Sequence, residues 1–187
     1  MVRIHIMGAS GSGTTTLGRA LGEQLDVLHL DTDSFFWMPT DPPFTTPREV
    51  PERLSLVQAA MEGHAGWVLS GSALKWGTPL EPLYDLIVFL RLDPTVRMDR
   101  IRRREEERYG ARILPDGDMH ETSRKFIDWA ASYDTAGVEQ RSLAAHEAWL
   151  LAQKAPVLRL DSASPVAELL EAVLQHPVVS EENLRRS

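Results

Sequence analysis

A glycine-rich loop near the N-terminus constrains this chain more than any other feature. The apolar run 2–7 precedes it, and a helical pattern follows it to about residue 24. The loop matches the phosphate-binding pattern G-x-x-x-x-G-K-[ST] everywhere except at the lysine, where Thr14 stands. Main-chain N–H groups of such loops surround phosphate oxygens, helped by the dipole of the following helix. The predicted anion site is Gly8, Ala9, Ser10, Gly11, Ser12, Gly13, Thr14 and Thr15.

The loop also suggests a metal ligand and leaves two other interpretations. Thr15 has the hydroxyl position that coordinates Mg²⁺ in such loops, so it is a candidate metal ligand. An ordinary glycine-rich turn before a helix is one alternative. A dinucleotide fingerprint starting at Gly11 fits less well, because it needs Gly or Ala where Thr16 stands.

The missing lysine affects catalysis more than binding. Removing one preorganised group beside the reacting atoms costs about 2.7–4 kcal/mol, roughly a hundred- to thousand-fold in rate. Phosphate binding depends largely on main-chain N–H groups and survives this loss. We therefore expect a substitute cation, and the candidates are Lys75 and the arginines at positions 102–112.

Composition excludes several classes of protein. The 187 residues suffice for one domain with a real core, and the net charge is −7. An acidic surface argues against sequence-independent nucleic-acid binding. No apolar run approaches the roughly 18 residues of a membrane span. Without cysteine there are no disulfides or thiolate sites, which fits a cytoplasmic protein.

Short apolar runs alternate with helical patterns along the chain, and two of these patterns predict helices at about residues 121–133 and 138–153. This alternation predicts a parallel sheet with helices on both faces. In such sheets, ligands lie beyond the carboxyl ends of the strands. The polar segments expected there are the glycine-rich loop, Asp31–Asp33, Ser70–Ser72 and Asp93.

Asp31 and Asp33 follow the second strand with one residue between them. On an extended segment both side chains point the same way and reach one site. Asp31 is then a candidate Mg²⁺ ligand through water, and Asp33 a candidate base for an acceptor hydroxyl. The alternative is that they form Asx turns or a helix cap. Asp93, before Pro94, is explained by helix capping.

A row of arginines follows Asp93. Four of them, from Arg97 to Arg108, recur every three or four residues and share one helix face. This face is either solvated or part of a closing segment that neutralises phosphates. The best candidates for the second role are Arg104, Arg108 and Arg112.

With these features the chain resembles the adenylate-kinase-like branch of the P-loop kinases over about residues 1–175. The glycine-rich loop and three further segments fall in the family's order, and His29–Trp37 is similar to the topology modulation proteins. The chain departs from the family at Thr14, and at Ser70, where an acidic residue usually ends the third strand. The three further segments are Leu30–Trp37, Trp67–Ser72 and Asp85–Leu90.

The resemblance implies a three-layer α/β/α P-loop NTPase fold with a five-stranded parallel sheet of order 2-3-1-4-5. It implies a single domain over residues 1–176, with a lid at about 104–122 and an acceptor-binding insertion at about 34–66. ATP or another nucleoside triphosphate, with Mg²⁺, would be the phosphoryl donor. Residues 177–187 are expected to form a frayed tail.

The acceptor is a small molecule that the sequence does not identify. Its expected contacts are Trp37, Arg53 and Ser72. The aromatic residues at 35–37 and 44 either stack on an acceptor ring or form a small separate core. The Gly-Phe-Pro-Arg motif of adenylate kinase is missing, so AMP is not the expected acceptor.

Three hypotheses about function follow from this pattern. The first is a kinase that transfers the γ-phosphoryl group of a nucleotide to the acceptor. The second is a nucleotide- or phosphate-binding regulator with little catalysis, since two expected charges are missing. The third is a simple nucleotide hydrolase. The oligomeric state is left open.

Overall fold

The computed structural model describes residues 1–184 of the chain. Short 3-10 segments lie at Thr78–Leu83, Gly110–Ile113 and Ser132–Asp134. The strands are β1 (Arg3–Gly8), β2 (Leu28–Asp31), β3 (Trp67–Ser70), β4 (Leu86–Arg91) and β5 (Val157–Asp161). The α-helices are α1 (Thr14–Leu25), α2 (Thr32–Phe36), α3 (Val50–Met61), α4 (Pro94–Tyr109), α5 (His120–Ala131), α6 (Leu143–Leu151), α7 (Val166–Leu174) and α8 (Pro177–Leu184).

The five strands form one parallel sheet in the order β2-β3-β1-β4-β5, which confirms the expected topology. The central strand β1 places Ile4 beside Val68 of β3 and Leu86 of β4. Because all strands run the same way, their carboxyl ends lie along one edge of the sheet. The glycine-rich loop and the ends of β2 and β3 therefore meet there.

A separate apolar layer covers each face of the sheet. Side chains alternate along β4, so that Val88 packs in one layer with Leu17 of α1. Phe89 packs in the other layer, with Val57 of α3 and Leu150 of α6. All five side chains are at most 4% exposed. The two layers confirm the three-layer arrangement and fix the edge where the loops converge.

Two helix boundaries differ from the sequence expectation. The frayed tail is wrong for residues 177–184, which form α8 with Val179 fully buried in the layer of α1 and α7. Residues 185–187 lie outside the described part of the chain. A helix expected at 138–153 covers only Leu143–Leu151, because Ser142 caps it by accepting a hydrogen bond from Ala145 N at 3.0 Å.

Asp93 caps α4 as expected, since its Oδ1 accepts hydrogen bonds from Thr95 N at 2.9 Å and Val96 N at 3.2 Å. In residues 1–184, the helices are all too short or too polar to cross a membrane. A cytoplasmic protein that does not bind nucleic acid stays a prediction from the sequence.

Two buried histidines make the fold sensitive to acid. Burial lowers the pKa of His5 from 6.5 to about 4, and burial together with the charge of Arg141 lowers that of His146 to about 3. Below pH 6.5 the unfolded chain binds protons that the folded chain does not, so the free energy of unfolding decreases as the pH is lowered. Between pH 7.5 and 5 we expect a loss of about 2 kcal/mol for each histidine.

Urea unfolding at pH 7.5, 6 and 5 measures this loss. The variant His5→Gln should show a shallower fall in stability, whereas the exposed His64→Gln should keep the slope of the parent protein. Equal slopes for the parent protein and His5→Gln would contradict a neutral, buried His5.

Candidate functional site

One large cavity, of about 1550 Å³, opens along the carboxyl edge of the sheet. Its walls come from the glycine-rich loop, the end of β2, the insertion after α2, helices α4 and α5, and the loop after β5. Seven cationic side chains line it against three carboxylates, although the whole chain has a net charge of −7. The cavity is therefore suited to an anionic ligand.

The glycine-rich loop presents free main-chain donors. Gly11 and Gly13 have φ angles of 82° and 87°, in the left-handed region that favours glycine. Within the described chain, no protein acceptor takes the N–H of Ser10, Gly11 or Gly13. Thr14 and Thr15 begin α1, where first-turn N–H groups have no partner inside the helix. The loop thus has the donors that phosphate binding requires.

The loop is also closely packed against its surroundings. A Cβ at Gly8 would lie 2.4 Å from Ser12 Oγ and 2.7 Å from Leu90 O, so only glycine fits there. A Cβ at Gly11 would lie 2.9 Å from the main-chain oxygen of Arg97 in α4. Helix α4 therefore supports the loop from behind.

Thr15 and Asp31 meet where the loop enters α1. Thr15 Oγ1 donates to Asp31 Oδ2 at 2.8 Å, and Asp31 Oδ1 accepts from Asp33 N at 3.0 Å. Asp31 thus caps α2, as one alternative held. The extended segment assumed at Asp33 is wrong, because Asp33 lies in the first turn of α2.

The pair Thr15 and Asp31 fits a magnesium ion. Mg²⁺ is held by one or two protein oxygens together with waters and substrate phosphates, so it does not need a dedicated cage of side chains. Residues 1–184 contain no cluster of three or more His, Cys, Asp or Glu residues suited to a metal. The hydroxyl and the carboxylate stand beside the free N–H groups of the loop.

The Asp33 side chain is exposed to the interior of the cavity, and the walls of the cavity surround it. This enclosure and the like charge of Asp31 raise the pKa of Asp33 above its ordinary 3.8. The positive charges of Arg141, Arg104 and Arg108 oppose the rise. A carboxylate with a raised pKa is a stronger general base than an ordinary aspartate.

Two arginines of the cavity wall, Arg104 and Arg141, form no salt bridge with any residue in the described chain. The Nε of each is buried without a hydrogen-bond partner. Their guanidinium groups lie 5.9 Å from the Phe126 ring and 5.4 Å from the Trp129 ring. Burial lowers the pKa of both. Because enclosed, unpaired charges are costly, the two groups favour an anion in the cavity.

Lys75 and Arg108, two further predicted cations, also line the cavity. Lys75 Nζ is held by the main-chain oxygen of Glu139. The Arg108 guanidinium lies 4.1 Å from the centre of the Phe44 ring. Both side chains therefore have protein contacts of their own.

Arg112 is not brought to the cavity wall. Its Nε and Nη2 donate to the two carboxylate oxygens of Asp118 at 3.0 and 2.7 Å. Its Nη1 donates to Asp41 Oδ1 at 2.9 Å. Arg112 thus joins the segment after α4 to the insertion after α2, and its guanidinium group is hydrogen-bonded to two carboxylates.

Of the three predicted acceptor contacts, Trp37 and Ser72 line the cavity and Arg53 does not. The Arg53 guanidinium lies 3.7 Å from the centre of the Phe36 ring, and its Nε donates to Arg48 O at 2.7 Å. Arg48 is the residue of this pair that reaches the cavity. An acceptor contact at Arg53 stays a prediction from the sequence.

The aromatic cluster serves both of the roles considered. Phe35 packs in the core layer of α3 and α6, as a core residue does. Phe36, Trp37 and Phe44 line the cavity, and the ring centres of Trp37 and Phe44 are 6.3 Å apart. These three residues are the part of the cluster that a ligand can contact.

Ser72 is held by a buried histidine. Its Oγ lies 3.2 Å from His146 Nε2, and His146 Nδ1 lies 2.8 Å from the hydroxyl of Tyr133. Burial and nearby Arg141 keep the pKa of His146 low, so this histidine is neutral. Sequence reasoning missed the network, because Ser72 and His146 are 74 positions apart.

Arg141 is the cavity residue that sequence reasoning missed most clearly. Its Nη2 lies 3.3 Å from Gly8 O and 3.4 Å from Ser10 Oγ, directly at the glycine-rich loop. Arg141 precedes the cap of α6 in a polar stretch, without any motif around it. The only signal was indirect: this stretch follows the expected lid and leads back to the sheet.

Comparison with known proteins agrees with this fold. The family described as "AAA domain" matches residues 4–128. The "Uncharacterized protein YqaC" of Bacillus subtilis (strain 168) is 43% identical over 173 residues, covering 92% of this chain and 96% of that protein. The likeness thus extends well beyond the glycine-rich loop.

Two solved structures share the fold at low sequence identity. A gluconokinase from Sinorhizobium meliloti 1021 has a TM-score of 0.52 and 22% identity, covering 98% of this chain and 95% of that one. A shikimate kinase from Bacteroides thetaiotaomicron has a TM-score of 0.57 and 18% identity, covering 93% and 97%. The family match shows that the chain belongs to the AAA domain family, and the two solved structures show that it shares the fold of these kinases.

Proposed function

We propose that this protein is a kinase that transfers the γ-phosphoryl group of ATP, or of another nucleoside triphosphate, to a hydroxyl group of a small molecule. One observation carries the proposal. A single cavity contains the phosphate-binding loop, the Thr15–Asp31 pair and Asp33, a carboxylate of raised pKa. The gluconokinase and the shikimate kinase that share the fold support a phosphotransferase.

The donor end of the reaction uses the loop. The free N–H groups of the loop, at Ser10, Gly11 and Gly13, and those of the first turn of α1 hold the phosphate oxygens of the nucleotide. Thr15 Oγ1, and Asp31 through water, would hold Mg²⁺, which when bound neutralises charge on the phosphates. Arg104 and Arg108 face the same cavity and stabilise the negative charge of the transferring group.

The acceptor end uses Asp33. Its carboxylate takes the proton of the acceptor hydroxyl while the hydroxyl oxygen forms a bond to the γ-phosphorus. The bond from that phosphorus to the β–γ bridging oxygen breaks, and the nucleoside diphosphate leaves. The walls near Asp33 would bind the rest of the acceptor through Trp37, Phe44, Arg48 and Ser72.

A regulator that binds nucleotide without turning it over is the second candidate. It is favoured by Thr14 in place of the lysine and by Ser70, which is uncharged and pairs with His29 at 2.9 Å. Its donor site would be the same. It differs from the kinase only in the absence of acceptor-dependent turnover.

Two measurements separate the candidates. Calorimetry with the β,γ-imido analogue of ATP, with and without Mg²⁺, tests binding at the loop. Incubation with Mg-ATP and a panel of sugar acids, polyols, nucleosides and nucleoside monophosphates tests transfer, followed by mass spectrometry of the products. The kinase predicts an acceptor that gains one phosphate while ADP forms in equal amount. Tight binding without any phosphorylated product would support the regulator.

A further inference from the structure

The loop lacks one positive charge where its pattern expects it. Thr14 stands at the lysine position, and Arg19, the basic residue of α1, does not line the cavity. Two of the cations considered from the sequence do not fill this place, since Lys75 is held at Glu139 and Arg112 is bound to two carboxylates. Arg104 and Arg108 line the cavity, but within residues 1–184 no hydrogen bond joins either of them to the glycine-rich loop.

Arg141 is a guanidinium that contacts the loop itself. Its Nη2 lies 3.3 Å from the carbonyl oxygen of Gly8, the first residue of the loop, and 3.4 Å from Ser10 Oγ. Both distances are long for hydrogen bonds to a charged donor. Within residues 1–184 this side chain forms no salt bridge, and its Nε is buried without a hydrogen-bond partner. The nearby Asp33 carboxylate acts on it through charge alone. Its bonding capacity is therefore only partly used.

The position of Arg141 is fixed by its neighbours. The next residue, Ser142, is fully buried and caps α6, and its Oγ donates to Gly137 O at 2.7 Å. The Trp129 ring of α5 lies beside the guanidinium. A cation held in this way needs no large movement to meet a phosphate placed in the loop.

We propose that Arg141 supplies the positive charge that Thr14 does not, by binding the terminal phosphates of a nucleoside triphosphate held in the glycine-rich loop. The inference rests on the proposed function, because it places nucleotide phosphates in that loop. It adds that the charge comes from the segment before α6, which touches the loop across 131 positions of sequence. A lysine introduced at position 14 and Arg141 would then perform the same role.

Calorimetry of nucleotide binding tests this without depending on turnover. The probes are Mg²⁺ with the β,γ-imido analogue of ATP, and Mg²⁺ with inorganic tripolyphosphate, which has no base. We expect Arg141→Gln to weaken binding of both by about 10- to 100-fold, the value of a hydrogen bond to a charged group. Arg141→Lys should retain most of the affinity. The exposed Arg103→Gln, on α4 outside the cavity, is the matched control and should bind like the parent protein.

The variant Thr14→Lys gives the sharper test because it keeps Arg141 in place. In the Arg141→Gln background it should restore most of the lost affinity, whereas in the parent protein it should add little. An equal gain in both backgrounds, or unchanged binding by Arg141→Gln, would overturn the proposal. Should Arg141→Gln not fold, a gain of tenfold or more from Thr14→Lys alone would overturn it.

The outcomes also separate this inference from the proposed function. If the parent protein binds the triphosphates but phosphorylates no acceptor, the kinase proposal is rejected. The role of Arg141 in binding is then still decided by the affinities of the variants. If the parent protein binds neither probe, the kinase and the inference fall together.

Discussion

Replacing Asp33 by asparagine should reduce phosphoryl transfer by about 100- to 10,000-fold, the contribution of a positioned general base. The amide side chain has the shape of the original carboxylate but cannot take the acceptor's proton. Nucleotide affinity should change little, because the loop donors and the Thr15–Asp31 pair remain. The measurement is kcat with the identified acceptor, together with calorimetry of nucleotide binding. Asp99→Asn removes an exposed carboxylate on α4, outside the cavity, and should leave both values unchanged.

The pH profile gives a second readout for the same residue. Asp33 accepts a proton only when ionised, so activity should fall with acid as this carboxylate becomes protonated. The residual activity of Asp33→Asn should lack this acid limb. A variant that keeps near-normal kcat, or the same acid limb, would show that another group is the base.

The fold was predictable because its signals are local. Each strand is a short apolar run, and the glycine-rich loop after β1 fixes the strand–loop–helix unit at the centre of the sheet. Pro94 after Asp93 marks the start of α4 in the same way. The tail was not predictable by this means, because Val179 is buried only through packing against the layer of α1 and α7.

The candidate site was predictable only where sequence neighbours form it. Thr15 follows from the loop pattern, and Asp31 and Asp33 from the end of β2. Arg141 and the His146 partner of Ser72 come from segments distant in sequence, so only the folded chain brings them to the cavity. Arg112 lies away from the cavity wall because α4 ends at Tyr109 and the side chain is bound to Asp41 and Asp118.

The role of Arg97 could not be predicted from helical spacing either. Its replacement is expected to give the largest loss of stability. The helical spacing places it with Arg104 and Arg108, yet it is 1% exposed and lies outside the cavity wall. Its Nη2 donates to Asp134 Oδ2 at 2.7 Å, and its Nη1 to Ala130 O at 2.9 Å. These bonds join α4 to the end of α5. Arg97 is thus a structural residue.

We expect Arg97→Ala to lower the free energy of unfolding by about 3–5 kcal/mol, since it leaves the Asp134 carboxylate without its ion-pair partner, removes one hydrogen bond to Ala130 O and opens a void. Urea unfolding at pH 7.5 measures the loss through the midpoint and the slope. Arg103→Ala, on the exposed side of α4, should change stability by no more than about 0.5 kcal/mol.

A double-mutant cycle assigns this loss to the ion pair. If the interaction of Arg97 with Asp134 carries much of the energy, Arg97→Ala combined with Asp134→Ala costs less than the two single changes added together. Strict additivity would place the energy in the packing of the arginine side chain instead.

The same variant should also affect the glycine-rich loop, because Gly11 packs against the main chain of Arg97. If the substitution displaces α4, Arg97→Ala should bind tripolyphosphate more weakly than the parent protein. The measurement is made under conditions in which the variant is still folded. Unchanged binding there would show that the loop keeps its shape without this support.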